Sequence, residues 1–233
     1  MIINKQFQLK HPRIAAVPKQ TNYPIQWTIE HHKKALDTSY VETWMRMQRI
    51  VIVGSSGSGK STLARDLGQK LDLPVVHLDN HYWKPGWVST PAAIWQEKVN
   101  KLAQGEYWIL DGNYRDTLDV RLQAADTVVF MDLPRWLCAC RAIKRRIQYR
   151  NKPRPDMAPG CRESLFKPDF PEFLVRIWDY PNRAKPDVER RLQELDPQTR
   201  VIRLTSRNDT ARFLNDPITF ATRTEKMPLV GNS

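Results

Sequence analysis

Gly54-Ser55-Ser56-Gly57-Ser58-Gly59-Lys60-Ser61-Thr62 sets glycines, a lysine and hydroxyls in the spacing G-x-x-x-x-G-K-S-T. Glycine at 54, 57 and 59 lets successive backbone N–H groups converge on an anion with no side chain in the way. A helix opening at Lys60 adds its positive dipole end. Chemistry of that kind suits ATP: Ser55, Ser56, Ser58 and Thr62 belong to the cradle, Lys60 reaches the β- and γ-phosphates, and Ser61 completes a Mg²⁺ shell. A flexible Gly/Ser linker has a similar composition. Linkers, however, are not wedged between an apolar run such as Arg49-Ile50-Val51-Ile52-Val53 and a helical pattern such as Leu63, Ala64, Leu67 and Leu71.

Two further turns carry acids. Pro74-Val75-Val76-His77-Leu78 runs into Asp79, and Tyr107-Trp108-Ile109-Leu110 into Asp111. A carboxylate leaving a strand beside a phosphate cradle can orient Mg²⁺ or take the proton of an attacking hydroxyl. Asp79 is therefore a catalytic and acceptor-binding candidate, and Asp111 a catalytic and metal-orienting one. Both also suit turns or helix caps. Trp83 and Trp87 flank Lys84-Pro85-Gly86, where they either cover an acceptor or join a satellite core. Beyond Asp111, Gly112 permits a close backbone passage beside the nucleotide, Tyr114 joins the acceptor side, and Arg115 offers a bidentate grip for a phosphate or carboxylate.

Positioning these groups requires a sheet. Strands are predicted at 49–53, 74–78, 107–110, 126–131 and 200–204, and helices near 60–71, 91–103, 116–124, 134–149, 170–180, 185–195 and 208–214. The alternation predicts an α/β fold: a five-stranded parallel sheet with helices on both faces and ligands at the carboxyl ends of the strands. The helix over 134–149 is expected to bury Trp136, Cys140, Ile143 and Ile147, with Asp132 assisting its start and Pro134 in its first turn.

Positive charge concentrates on that helix. Arg135, Arg141, Lys144, Arg145, Arg146, Arg150, Lys152 and Arg154 follow one another with no acid between. Arg141 with Arg145, and Arg146 with Arg150, are like-charge i, i+4 pairs, each unfavourable by a few tenths of about 1 kcal/mol unless an anion neutralises them. They point either to phosphates or to a solvated basic face. Arg141 is assigned to the nucleotide, Arg145 to catalysis, and Arg150 and Arg154 to the acceptor. Proline-rich residues, about 149–171, read as an arginine-bearing lid that excludes water from the transferring group. The following helix puts Arg176, Tyr180 and Arg183 on one face, with Arg183 a second catalytic arginine. Arg207, after the last strand, is positioned for the adenine end.

The chain has 233 residues, a formal charge of +12 and 41% hydrophobic residues, enough for one α/β domain with extensions. Residues 1–46 lack sustained periodicity and read as a poorly ordered extension, or as an accessory element with a helix over 29–44. The domain is set at 47–215, and 216–233 read as a loose polar tail. No apolar run reaches transmembrane length, and no signal pattern opens the chain. The three cysteines lack metal-ligand grouping and suit a reducing compartment, so a cytoplasmic protein is expected.

The ordered set GSSGSGKS, LPVVHLDNHYWKPGW, WILDGNYR, DTVVFMDLPRWLC, RRIQYR, RPDMAPGC and YPNR resembles the DNA topology modulation proteins, an adenylate-kinase-related group with a phosphate-binding loop (P-loop), over residues 48–215. The resemblance implies a nucleoside/nucleotide-kinase-like fold, ATP binding and an arginine lid. Asp111-Gly112-Asn113-Tyr114-Arg115 is similar to the Asp-Gly-x-Pro-Arg of adenylate kinases, whose Arg grips a nucleoside monophosphate. Tyr114 stands where that pattern has proline. Two functions follow as expectations: an ATP- and Mg²⁺-dependent kinase acting on a nucleotide or other small molecule, or an ATP-dependent regulatory module that binds nucleic acid and affects DNA topology. No helix-turn-helix, zinc finger or aromatic-basic sheet marks direct DNA reading.

Overall fold

The computed structural model describes residues 47–224 apart from 151, 153 and 162–168. The expected extension 1–46, Arg162 and residues 225–233 lie outside the described residues. Strand β1 (Arg49–Gly54) is the centre of a parallel sheet that also contains β2 (Val75–His77), β5 (Trp108–Asp111), β6 (Thr127–Met131) and β7 (Arg200–Leu204), in the order β2-β5-β1-β6-β7. All its ladders are parallel, in keeping with the expected architecture. β1 is buried on both faces, which explains its uninterrupted Ile/Val run. Ile50 and Ile52 join one core with Leu63, Leu67, Val129, Ile202 and Phe213; Val51 and Val53 join the other with Leu110, Leu118, Val128 and Phe130.

Helix α1 (Lys60–Leu71) buries Leu63, Ala64, Leu67, Gly68 and Leu71. Gly68 is needed for that fit, since a Cβ there would meet Val75 Cγ2 at 2.3 Å. The strand expected over 74–78 stops at His77. Leu78–Tyr82 form a short helix, α2, and Trp83–Lys84 and Val88–Ser89 pair as an antiparallel hairpin, β3 and β4. Helices α3 (Ala92–Ala103) and α4 (Leu118–Ala124), the latter entered through a 3₁₀ turn at Arg115–Thr117, cover one side. On the far side of β6, α5 (Arg135–Gln148) leads into the proline-rich segment. The chain continues as α6 (Phe170–Trp178), α7 (Tyr180–Arg183), α8 (Lys185–Gln193), α9 (Arg207–Asn215) and α10 (Pro217–Thr224).

Several expectations are corrected. α5 turns its apolar stripe outward: Trp136, Ile143 and Ile147 are 59%, 39% and 58% exposed, and Cys140 is exposed. Its inner face is instead Leu137, Cys138, Ala142 and Arg146. Close approach explains the choice, because a Cβ on Gly57 would lie 2.2 Å from the Cys138 carbonyl, leaving room there only for small or slender groups. Asp132 does not cap α5. It pairs with Lys185 Nζ at 2.9 Å and accepts from Arg203 Nε at 3.0 Å, tying β6 to α8 and β7. The helix expected over 170–180 ends at Trp178, since Pro181 has no N–H to continue it and opens a new turn. Finally, the residues read as a loose tail from 216 begin with α10, whose Ile218 and Ala221 are buried in the core. Among the described residues no helix is long and apolar enough to cross a membrane.

Candidate active site

The carboxyl edge of the sheet opens into one cleft of about 970 Å³. Its floor is the loop after β1. Ser56, Gly57, Ser58, Gly59, Lys60, Ser61 and Thr62 line it, while Gly54 and Ser55 lie buried behind. The glycines are required by protein neighbours. A Cβ on Gly54 would meet the Met131 carbonyl at 2.4 Å, and Gly57 (φ +81°) faces Cys138, so the loop is pressed between β6 and α5. Gly54 N donates to Asn113 Oδ1 at 3.3 Å. Lys60 Nζ crosses the loop to the Gly54 and Ser55 carbonyls at 3.0 and 2.9 Å. Burial lowers its pKa, opposed by the charges of Asp111 and Asp79.

α5 supplies one wall. Arg141, Lys144, Arg145, Arg146, Gln148 and Tyr149 line the cleft. Arg141 Nη1 donates to the Ser58 carbonyl at 2.8 Å, and burial plus the nearby charge of Arg207 lowers its pKa. Arg145 acts electrostatically on Lys60. Arg146 lies over the Phe170 ring at 4.1 Å and 4.0 Å from Asp169. Arg207 itself is exposed and off the cleft surface, which Thr210 and Leu214 of α9 complete.

The opposite end is acidic and aromatic. Asp111 pairs in register with His77 and Ile52, so the sheet itself delivers it beside the loop. Its Oδ2 lies 2.9 Å from His77 Nδ1, while Oδ1 is buried with no hydrogen-bond partner. Asp79, in the first turn of α2, accepts from the Tyr114 hydroxyl at 2.6 Å. Burial raises the Asp79 pKa, the Tyr114 hydrogen bond opposes that rise, and Asp111 adds repulsion. Burial beside Asp79 pushes the Tyr114 phenol up, so it remains a donor. Tyr114 thus takes up the proline's place with a specific contact, its ring packed against Tyr82 and Trp95. Gly112 (φ +151°) is close to Leu78, whose Cβ would lie 2.9 Å from an added Cβ; its neighbour is this side chain.

Arg121, unremarked in the sequence, holds the turn together. Fully buried, it donates to the Gly112, Tyr114 and Thr117 carbonyls at 2.8, 2.7 and 3.2 Å, and burial lowers its pKa to about 10.

The proline-rich segment reaches the same end. Arg154 is buried and donates twice to Asp156, at 3.2 and 2.7 Å. Burial would raise the Asp156 carboxyl, but Arg154 and the Ser61 hydroxyl hold it at about 2. Met157, Ala158 and Cys161 pack on Trp83 and Trp87. Gly86 N donates to the Gly160 carbonyl at 3.3 Å and Cys161 Sγ to the Lys84 carbonyl at 3.2 Å, so hairpin and segment move together.

Not every candidate converges. Arg115 is exposed and its side chain is not on the cleft; Arg150 is likewise exposed outside it. Arg183 is turned to solvent, 79% exposed and 3.3 Å from Asp179, because the break at Trp178 takes it off the Arg176 face. Arg176 does line the cleft. Asp156, Arg65, His77 and Asn113 were not among the candidates, although Arg154-Pro155-Asp156 has the spacing of a local ion pair across a rigid proline.

Comparison with protein-family models gives no match, and comparison with curated proteins gives none. Among solved structures, shikimate kinase from Acinetobacter baumannii in complex with shikimate is similar at TM-score 0.51 and 16% identity, covering 83% of this chain and 99% of that one. A gluconokinase from Sinorhizobium meliloti 1021 aligns at TM-score 0.43 and 17% identity, over 77% of this chain and 94% of that one. The fold is a P-loop kinase fold.

Proposed function

We propose that this chain is an ATP-dependent kinase that transfers the γ-phosphoryl group to a small-molecule hydroxyl. One observation carries the reading: a single cleft joins a phosphate cradle to a buried carboxylate, Asp79, held by Tyr114. The loop N–H groups, Lys60, Arg141 and Arg145 hold the triphosphate and offset charge at the transferring group. Tyr114 occupies Asp79 Oδ1, leaving Oδ2 for the acceptor. The acceptor oxygen attacks the γ-phosphorus, its proton passes to Asp79, and the bond to the β-phosphate oxygen breaks to release ADP.

Mg²⁺ fits the residues present. Asp111 Oδ1 is a buried acceptor without a partner, and Ser61, whose hydroxyl bonds to Asp156, lines the same cleft. Among the described residues no group of three or more His, Cys, Asp or Glu is placed to hold a metal ion. Held by Asp111 and Ser61, such an ion would supply positive charge to offset that of the transferring phosphoryl group.

The motif set resembles that of the adenylate-kinase-related DNA topology modulation proteins, and free cysteines suit the cytoplasm. A nucleic-acid-binding role is favoured by exposed Arg135, Arg150 and Lys152. Its signature would be DNA affinity falling steeply with salt. The kinase reading is tested by calorimetry of ATP·Mg²⁺ binding and by transfer from labelled ATP to a panel of hydroxyl compounds, with Lys60→Ala as control. Folded protein that takes up no ATP would overturn it.

A further inference from the structure

The acceptor end contains few cations to spare. The charges acting most strongly on Asp79 are those of Asp111, Arg154 and Lys60. Arg154 is committed to Asp156 by two hydrogen bonds, and Lys60 belongs to the phosphate loop. Arg115, the arginine that the adenylate-kinase pattern would use on a monophosphate, points away from the cleft. Three carboxylates, Asp79, Asp111 and Asp156, line the cleft here. Arg65 is on the cleft too, exposed on the second turn of α1, and is not among the charges that bear most on Asp79.

The remaining wall is apolar and rigid. Trp83 and Trp87 meet edge to face at 5.6 Å, both on the cleft and backed by Met157. Trp83 also bonds to the Tyr114 oxygen, which donates to Asp79. Trp87 is held at φ +66°, a conformation a bulky residue adopts only when its surroundings impose it. Indole faces beside a fixed carboxylate bind the apolar face of a ring while the carboxylate takes its hydroxyl.

Resting on the kinase reading, we infer that the acceptor is an uncharged ring compound with a free hydroxyl, seated on Trp83 and Trp87 and directed at Asp79, and that this end of the cleft disfavours phosphorylated or carboxylated acceptors. The physical reason is local: Arg154 is taken up by Asp156 and Lys60 by the loop carbonyls, so the charge left beside the indoles is that of Asp79, which repels an anion.

The test is matched pairs of acceptors offered with labelled ATP: a neutral cyclic sugar and its uronic acid, and a nucleoside and its 5′-monophosphate. The neutral member of at least one pair is expected to be used about tenfold better or more in kcat/KM. Trp87→Ala should raise KM for that neutral member about tenfold with the KM for ATP unchanged, and Trp87→Phe should restore much of the loss. Melting curves establish that both variants fold. Transfer only to charged members, transfer to neither member of any pair, or a KM for the neutral acceptor indifferent to Trp87→Ala in folded protein each overturns the inference. Absence of ATP binding would instead overturn the kinase reading, so the two failures are distinguishable.

Discussion

The nucleotide end of the cleft is built from backbone and cations, whereas the acceptor end is built from carboxylates and indoles. At the first, contiguous residues 54–62 do most of the work, assisted by arginines one helical face away on α5. At the second, each contributor comes from a different element: Asp79 from α2, Asp111 from β5, Tyr114 from the turn after it, Trp83 and Trp87 from the hairpin, and Asp156 from the proline-rich segment. On the kinase reading, the difference teaches that the groups offered to a triphosphate are local and do not depend on the acceptor. The groups offered to an acceptor are brought together only by long-range packing.

Substitutions break or sharpen that contrast. Lys60→Ala should have the largest effect, lowering kcat by about 10²–10³-fold by removing a preorganised cation, read in steady-state transfer assays. Asp79→Asn should cost about 10²-fold in kcat or more, the range of a lost general base. It should also raise the melting temperature near neutral pH. Burial raises the folded pKa of Asp79 above its unfolded value, so its ionised form opposes folding and the opposition is relieved only as pH falls through the folded pKa. The same sign gives a pH profile: activity requiring ionised Asp79 falls on acidification, and Tyr114→Phe moves that acid limb to higher pH.

Smaller effects test the supports. Arg121→Met should destabilise the fold by roughly 3 kcal/mol, because buried carbonyls lose their donor, read by denaturant unfolding. At the bottom of the scale, Arg115→Ala and Arg183→Ala should change kcat/KM by less than about twofold, as expected of surface groups away from the cleft. A tenfold loss in either would return that arginine to the site and weaken the contrast between the two ends.

Much of this was legible beforehand. The sheet strands and the helices on them appear where apolar periodicity puts them, with ends shifted by a residue or two. The glycine-rich loop follows β1 and Asp111 ends β5 where short motifs in a fixed local context put them, whereas Asp79 falls two residues past β2, in α2. The outward stripe of α5 was not legible, since periodicity reports that a face is apolar without saying which side a neighbour covers. Nor was the Asp132 ion pair, whose partners are 53 and 71 residues away.

The sequence by itself determined the phosphate cradle and the parallel sheet behind it, because both arise from neighbouring residues and from strand-sized apolar runs. Tertiary structure alone decided which arginines face the cleft and that Tyr114 binds Asp79. Those outcomes depend on where a broken helix, a buried guanidinium and a docked hairpin direct side chains, and no local spacing encodes the direction.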